Sequence, residues 1–125
     1  MGDKRKIFIA DDDEEISQLL KKTLIARGFE AEATHHSKDV FPMIKAFKPD
    51  LILLDLLMPD LGGFEICEML NRDKETQGLP IIVISGLIDS PDIKKAYKLG
   101  VVGYFMKPLD LKNLVREINK ALAYK

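Results

Sequence analysis

The chain has 125 residues, 46% of them hydrophobic, which is enough for one domain with a buried core and too little for two. Its 19 basic and 20 acidic residues nearly cancel, so the composition does not support binding to nucleic acid. The amino terminus has no secretory signal pattern, no apolar run approaches the length of a membrane span, and there is one cysteine. We therefore predict a single cytoplasmic domain over residues 1–125 that binds neither nucleic acid nor membrane.

The first third of the chain predicts two strand–helix pairs. A short apolar run, Ile7-Phe8-Ile9-Ala10, indicates a buried strand and is followed by five acidic residues, Asp11 to Glu15. Apolar residues at helical spacing then predict a helix that ends near Gly28, with the later acids of the run capping its first turn. The residues from Phe29 to Thr34 alternate apolar and acidic side chains, as in an edge strand, and Ser37 opens a second helix.

The central stretch is Leu51-Ile52-Leu53-Leu54-Asp55. Four consecutive aliphatic residues are typical of a strand buried on both faces of a parallel sheet. Because an ionised carboxylate is costly inside such a core, we expect Asp55 at the carboxyl end of the strand, on the rim of a cleft. Pro59 and the pair Gly62-Gly63 then form a loop into a third helix, on whose packed face Cys67 is expected to act as a small hydrophobic side chain.

The last third predicts two more strand–helix pairs. Ile81-Ile82-Val83-Ile84 reads as a buried strand that ends at Ser85-Gly86, and a helix is predicted from Asp89-Ser90-Pro91 to Leu99. The final strand is predicted over Val101 to Met106, before Lys107, and an amphipathic helix closes the chain. Five strands alternating with five helices indicate an α/β fold with a parallel sheet, and right-handed crossovers place the carboxyl ends of all strands on one edge.

Five polar side chains follow strand ends and are expected to meet at this edge: Asp11, Asp12, Asp55, Ser85 and Lys107. Three neighbouring carboxylates repel one another unless a cation neutralises them, and hard oxygen ligands suit Mg²⁺. The alternative is a network of carboxylates and lysine that serves stability alone.

The chain resembles the receiver domains of two-component response regulators over essentially its whole length. The resemblance is carried by four runs: Ile9-Ala10-Asp11-Asp12-Asp13, Pro49-Asp50-Leu51-Ile52-Leu53-Leu54-Asp55-Leu56-Leu57-Met58-Pro59, Ile84-Ser85-Gly86 and Gly103-Tyr104-Phe105-Met106-Lys107-Pro108. It implies a flavodoxin-like fold of five strands and five helices in three layers, with strand order 2-1-3-4-5.

The resemblance also implies a chemistry for the cluster. Asp55 would accept a phosphoryl group from a histidine kinase or phosphotransfer protein, so the domain would be a regulatory phosphoacceptor rather than an enzyme acting on outside substrates. Mg²⁺ would be held by Asp11, Asp12, Asp55 and the backbone carbonyl of Leu57. Lys107 would pair with a phosphoryl oxygen.

The family also suggests how such a signal would leave the site. Ser85 would donate to the phosphoryl group and Tyr104 would move inward as its switch partner. The face made by the fourth helix, the fifth strand and the fifth helix would then bind an output partner. A cis bond is expected before Pro108.

Two departures from the family pattern involve the loops around the site. The pair Gly62-Gly63 replaces the usual Asp-Gly, and we expect this change to affect the turn alone. The positions two residues beyond Asp55 and Ser85 are Leu57 and Leu87, which cannot orient an attacking water. These leucines predict a long-lived aspartyl phosphate.

Three other functions remain open at this point. The first is a receiver-like interaction module that works without phosphorylation, although such a module should have lost part of the cluster. The second is a metal-dependent phosphatase, which would need either a second catalytic acid where Leu57 stands or a substrate cap in place of the short loops. The third is a flavodoxin-like cofactor binder, which would need a Gly- or Ser/Thr-rich phosphate loop where the chain has acids.

Overall fold

The computed structural model describes residues 4–86 and 90–123. Within these ranges strands and helices alternate along the chain. The strands are β1 (Lys6–Ala10), β2 (Glu30–Thr34), β3 (Leu51–Asp55), β4 (Ile81–Ser85) and β5 (Gly103–Met106). The helices are α1 (Glu14–Ala26), α2 (Ser37–Phe47), α3 (Gly63–Arg72), α4 (Ser90–Lys98) and α5 (Leu111–Ala123). In the described part of the chain, none of these helices combines the length and apolar character needed to cross a membrane.

The five strands form one parallel sheet in the order β2-β1-β3-β4-β5, which confirms the predicted fold. Ala10 pairs with Leu54, and Asp55 pairs with Ile84. Ser85 in turn lies opposite Met106. This register brings the carboxyl ends of β1, β3, β4 and β5 to the same edge.

Two apolar layers cover the sheet, one on each face. The first joins α2, α3 and α4 to side chains such as Phe8 and Leu54, and the second joins α1 and α5 to Ile9 and Leu53. Neighbouring residues of a strand therefore serve opposite layers, and every residue of β3 is buried. Cys67 belongs to the first layer, where burial raises the pKa of its thiol to about 11.

The predicted boundaries shift by one or two residues. The Asp13 side chain caps α1 by accepting from the amides of Glu15 and Ile16, as the sequence predicted. Strand β5 begins at Gly103 instead of Val101, because the chain is still completing the turn after α4, where Gly100 has a φ of +94°. Of the residues predicted to open α4, Asp89 lies outside the described ranges.

Candidate functional site

Two carboxylates lie side by side where β1 and β3 end. Asp55 is the last residue of β3 and is 2% exposed, while Asp11 directly follows β1 and is fully buried. Asp55 therefore lies at the carboxyl end of the strand, as expected, but it is buried there rather than exposed on the rim of a cleft. Asp12, the next residue along the chain, is exposed and faces the opening.

Lys107 joins the two buried carboxylates. Its ammonium lies 2.9 Å from Asp11 Oδ2 and 3.2 Å from Asp55 Oδ2. The other oxygen of each carboxylate accepts from the backbone: Asp55 Oδ1 from the Leu57 amide at 3.0 Å, and Asp11 Oδ1 from the Asp13 amide at 2.9 Å. One oxygen of each acid is thus held by its own loop, and the other points towards the shared cation.

Burial opposes ionisation at this site. It raises the pKa of Asp55 from 3.8 to about 6, an effect that the Leu57 amide reduces and the neighbouring Asp11 charge reinforces. For Lys107 burial acts to lower the pKa, but the carboxylates of Asp11 and Asp55 outweigh it and hold the pKa above its ordinary value. Lys107 therefore remains charged, whereas Asp55 titrates near neutrality.

The donor set fits a hard divalent cation. Carboxylate oxygens of Asp11, Asp12 and Asp55 all lie within 4.8 Å of one another. Among the described residues, buried Asp11 Oδ2 accepts no hydrogen bond of good geometry and is compensated by the Lys107 charge. Three carboxylates beside one ammonium leave negative charge that a divalent ion with oxygen preference would neutralise.

Ser85 and Tyr104 extend the site towards the edge of the sheet. Ser85 ends β4 and is fully buried, and its backbone carbonyl accepts from the Lys107 amide at 2.9 Å. Tyr104 lies half-buried on β5, where burial raises the pKa of its phenol and the Ser85 hydroxyl opposes this effect. The peptide bond between Lys107 and Pro108 is cis, as the family resemblance implied.

The loop of residues 56–62 is tightly packed where it meets α3. A Cβ at Gly63 would lie 2.6 Å from Leu56 Cα and 2.9 Å from the Asp55 carbonyl oxygen. The glycine at this position therefore lets the first residue of α3 pack directly against the backbone that carries Asp55. Leu57 is 52% exposed beside the carboxylate, whereas Leu87 lies outside the residues that the structure describes.

One residue that touches this loop was not among the sequence-based candidates. Ser37, the first residue of α2, is 4% exposed, and its hydroxyl donates to the Pro59 carbonyl at 2.6 Å and accepts from the Leu61 amide at 3.2 Å. Its sequence position indicated a helix start, and no local pattern distinguishes that role from a contact with a loop more than twenty residues away.

The comparisons with known proteins agree with this geometry. The family model for the response regulator receiver domain matches residues 7–119. The CheY-like receiver domain protein from Methanospirillum hungatei superimposes with a TM-score of 0.91 at 26% identity, over 98% of this chain and 96% of that one. Chemotaxis protein CheY4 of Vibrio cholerae shares the fold, with a TM-score of 0.88 at 21% identity over 94% and 98% of the two chains.

The chain belongs to the response regulator receiver domain family, the regulatory class of two-component signalling. A curated relative is the DNA-binding response regulator MtrA of Mycobacterium tuberculosis, 29% identical over 119 residues. This match covers 95% of the chain but 51% of MtrA, so the chain spans about half the length of such relatives.

Proposed function

We propose that this receiver domain is a Mg²⁺-dependent phosphoacceptor in a phosphorelay, with Asp55 as the residue that is phosphorylated. The observation that carries the proposal is the Asp55 carboxylate 3.2 Å from Lys107, within 4.8 Å of the oxygens of Asp11 and Asp12. A nucleophilic carboxylate, a fixed ammonium and two further acids are the groups that phosphoryl transfer to an aspartate needs.

Transfer would proceed from the phosphohistidine of a histidine kinase or phosphotransfer protein. An oxygen of Asp55 attacks phosphorus in line, the P–N bond breaks, and the imidazole leaves as a neutral base after taking a proton. With a pKa of about 6, Asp55 is mostly ionised near pH 7 and can act as the nucleophile. Lys107 moves from the carboxylate to a phosphoryl oxygen, and Ser85 donates to another.

A divalent cation would be held by Asp11, Asp12, Asp55 and the Leu57 carbonyl. When bound, it supplies positive charge that offsets the repulsion between the carboxylates and the incoming phosphoryl oxygens. The buried Asp11 and the exposed Asp12 divide the work, because one anchors Lys107 and the other is accessible to an ion arriving from solvent.

The signal would leave through the α4–β5–α5 face. The Ser85 hydroxyl, which acts on the Tyr104 phenol, would turn towards the phosphoryl group, and Tyr104 would repack inward. Exposed Tyr97 and Met106 lie on this face and are available to an output partner. The alternative of a phosphorylation-independent module finds no support in a cluster that has kept all five residues.

The test is incubation with acetyl phosphate and Mg²⁺, followed by intact mass spectrometry. We expect one phosphoryl adduct on the wild type and none on Asp55→Asn. Asp12→Ala should require more Mg²⁺ for the same labelling, since it loses a charged ligand. A single adduct that persists on Asp55→Asn would reject Asp55 as the acceptor.

A further inference from the structure

Ser37 directs its hydroxyl away from the helix that it begins. A serine at a helix start usually accepts from amides in the first turn. Here the cap position belongs to His36, whose side chain makes no capping hydrogen bond, and Ser37 instead reaches across to the loop after β3. The hydroxyl is therefore committed to a segment 22 residues further along the chain.

The two bonds of Ser37 reinforce a strained turn. They bind the Pro59 carbonyl and the Leu61 amide, which flank Asp60 and also bond each other directly, the amide donating to the carbonyl at 2.9 Å. Asp60 has a φ of +72°, a left-handed conformation that is unfavourable for a residue with a side chain. A single buried hydroxyl thus contacts both ends of the turn and adds to the backbone hydrogen bond that closes it around Asp60.

The same loop carries Leu57, whose carbonyl belongs to the proposed ligand set. On the site side, the loop is tied to Asp55 by the Leu57 amide at 3.0 Å and to α3 by the Gly63 amide, which donates to the Leu56 carbonyl at 3.1 Å. Ser37 supplies a separate attachment on the other side. Without it, the loop would have more conformations in which the Leu57 carbonyl points away from the cation.

We propose that Ser37 is a positioning residue for the metal site, acting through the loop of residues 56–62. Ser37 would touch neither the cation nor the phosphoryl group, and this role rests on the proposed function for Asp55. Its effect is to order the loop before the ion arrives, so that binding does not require the loop to be ordered at that step.

The experiment compares Ser37→Ala with Ser37→Thr, which keeps a hydroxyl. The matched control is Ser17→Ala, because Ser17 is a buried serine like Ser37 but donates to the Glu14 carbonyl within α1 at 3.0 Å. Mg²⁺ binding to each folded variant is titrated and monitored through amide chemical shifts. Labelling by acetyl phosphate is measured at low and at saturating Mg²⁺. Hydrogen exchange of the Leu61 amide is recorded without metal.

We expect Ser37→Ala to raise the Mg²⁺ midpoint about 3- to 10-fold, the equivalent of one ordinary hydrogen bond. Labelling should recover at saturating Mg²⁺. The Leu61 amide should lose part of its protection, because it keeps the Pro59 carbonyl as an acceptor but no longer has the Ser37 hydroxyl. Ser37→Thr and Ser17→Ala should keep the wild-type midpoint.

An unchanged midpoint in Ser37→Ala, an equal shift in Ser17→Ala or a failure of Ser37→Thr to retain the midpoint would overturn the inference alone. A wild type that binds no Mg²⁺ would overturn the proposed function together with it. Hydrogen exchange of the Leu61 amide separates the two cases, because it reports the contact between Ser37 and the loop when no metal is present.

Discussion

Asp55 occupies a position that opposes its own ionisation. Its folded-state pKa of about 6 exceeds the ordinary 3.8, so the unfolded chain releases this proton first as pH rises. Ionisation of Asp55 therefore lowers the free energy of unfolding progressively as pH rises from about 4 to about 6, and this loss of stability persists in full at neutral pH. The burial and the neighbouring Asp11 charge that destabilise ionised Asp55 in the metal-free protein also favour the binding of a cation.

We predict that Asp55→Asn is more stable than the wild type at pH 7 in EDTA. A shift of about two pKa units corresponds to at most about 3 kcal/mol, and the difference should shrink below pH 4, where Asp55 is neutral in both states. Urea unfolding at several pH values measures it. Asp73→Asn is the contrasting control, because Lys45 lowers the pKa of Asp73 and its contribution is lost as pH falls. Equal stability of wild type and Asp55→Asn at pH 7 would contradict the prediction.

Any side chain at Gly63 should destabilise the protein. Gly63→Ala places a Cβ 2.6 Å from Leu56 Cα, so the backbone beside Asp55 must move. We expect a loss of about 1–3 kcal/mol in urea unfolding and slower labelling by acetyl phosphate. Gly62→Ala is the matched control, since its Cβ would meet Glu65 Oε1 at an ordinary 3.7 Å. If the two variants are equally stable and equally reactive, the close approach has no consequence.

Leu57 should lengthen the life of the phosphorylated state. Half-exposed beside Asp55, it can exclude water from the site but cannot orient it. Leu57→Asn should speed loss of the phosphoryl group about tenfold, equivalent to about 1.4 kcal/mol in the barrier. Decay of the adduct by intact mass at fixed Mg²⁺ measures this, with Ile25→Asn on α1 as a control of similar exposure. An unchanged decay rate would reduce Leu57 to ordinary surface packing.

Among the elements, α2 forms in spite of its own sequence. Pro42 lies within the helix, where its nitrogen cannot donate to the Lys38 carbonyl. Val40 and Ile44 are buried against the sheet, and this packing holds the helix across the interruption. Tertiary contacts therefore outweigh a local preference against helix.

We predict that Pro42→Ala stabilises the protein. Pro42 is exposed, so its removal costs no packing, and alanine restores a helical hydrogen bond. The penalty of about 3 kcal/mol for an interior proline, less the entropy of at most about 1 kcal/mol that alanine returns to the unfolded chain, leaves about 2 kcal/mol. Urea unfolding tests this, and exposed Ala46→Gly should destabilise by about 1 kcal/mol. If Ala46→Gly destabilises the protein as expected but Pro42→Ala does not stabilise it, the prediction is wrong.

Across the whole molecule, Ser85 and Tyr104 connect the acidic site to the α4–β5–α5 face, because the Ser85 hydroxyl acts on the pKa of the Tyr104 phenol. Both residues lie on paired strands, so a change at the site need not pass through a loop to reach this surface. In the proposed switch, the Ser85 hydroxyl turns from the surroundings of the Tyr104 phenol to a phosphoryl oxygen.

We predict that beryllofluoride with Mg²⁺ shifts amide resonances around Tyr104 and Lys95 as well as those beside Asp55. Ser85→Ala should bind the mimic but lose the distant shifts, because the hydroxyl that couples the two sites is gone. Amides near Ile25 serve as the unaffected reference. Shifts confined to the loop around Asp55 in the wild type would argue against the coupling.

Local pattern by itself determined which segments are strands and helices. The run from Leu51 to Leu54 and the helical spacing after Ser37 depend on residues a few positions apart, and the structure retains both. The sequence also placed Asp11, Asp55 and Lys107 at strand ends, and parallel strands necessarily bring such ends to one edge. The order of the strands came from family resemblance, because hydrophobic period alone does not specify neighbours.

Tertiary structure decided what the site residues touch. Lys107 contacts Asp55 across 52 positions of sequence, and Ser37 contacts Pro59 across 22. Such contacts depend on how helices settle against the sheet, which no local period encodes. Three features arise because separate segments are packed to contact distance: the burial of Asp55, the lack of space at Gly63 and the two hydrogen bonds from Ser37 to the loop of residues 56–62. At that distance, a few tenths of an ångström determine whether a group is solvated, paired or excluded.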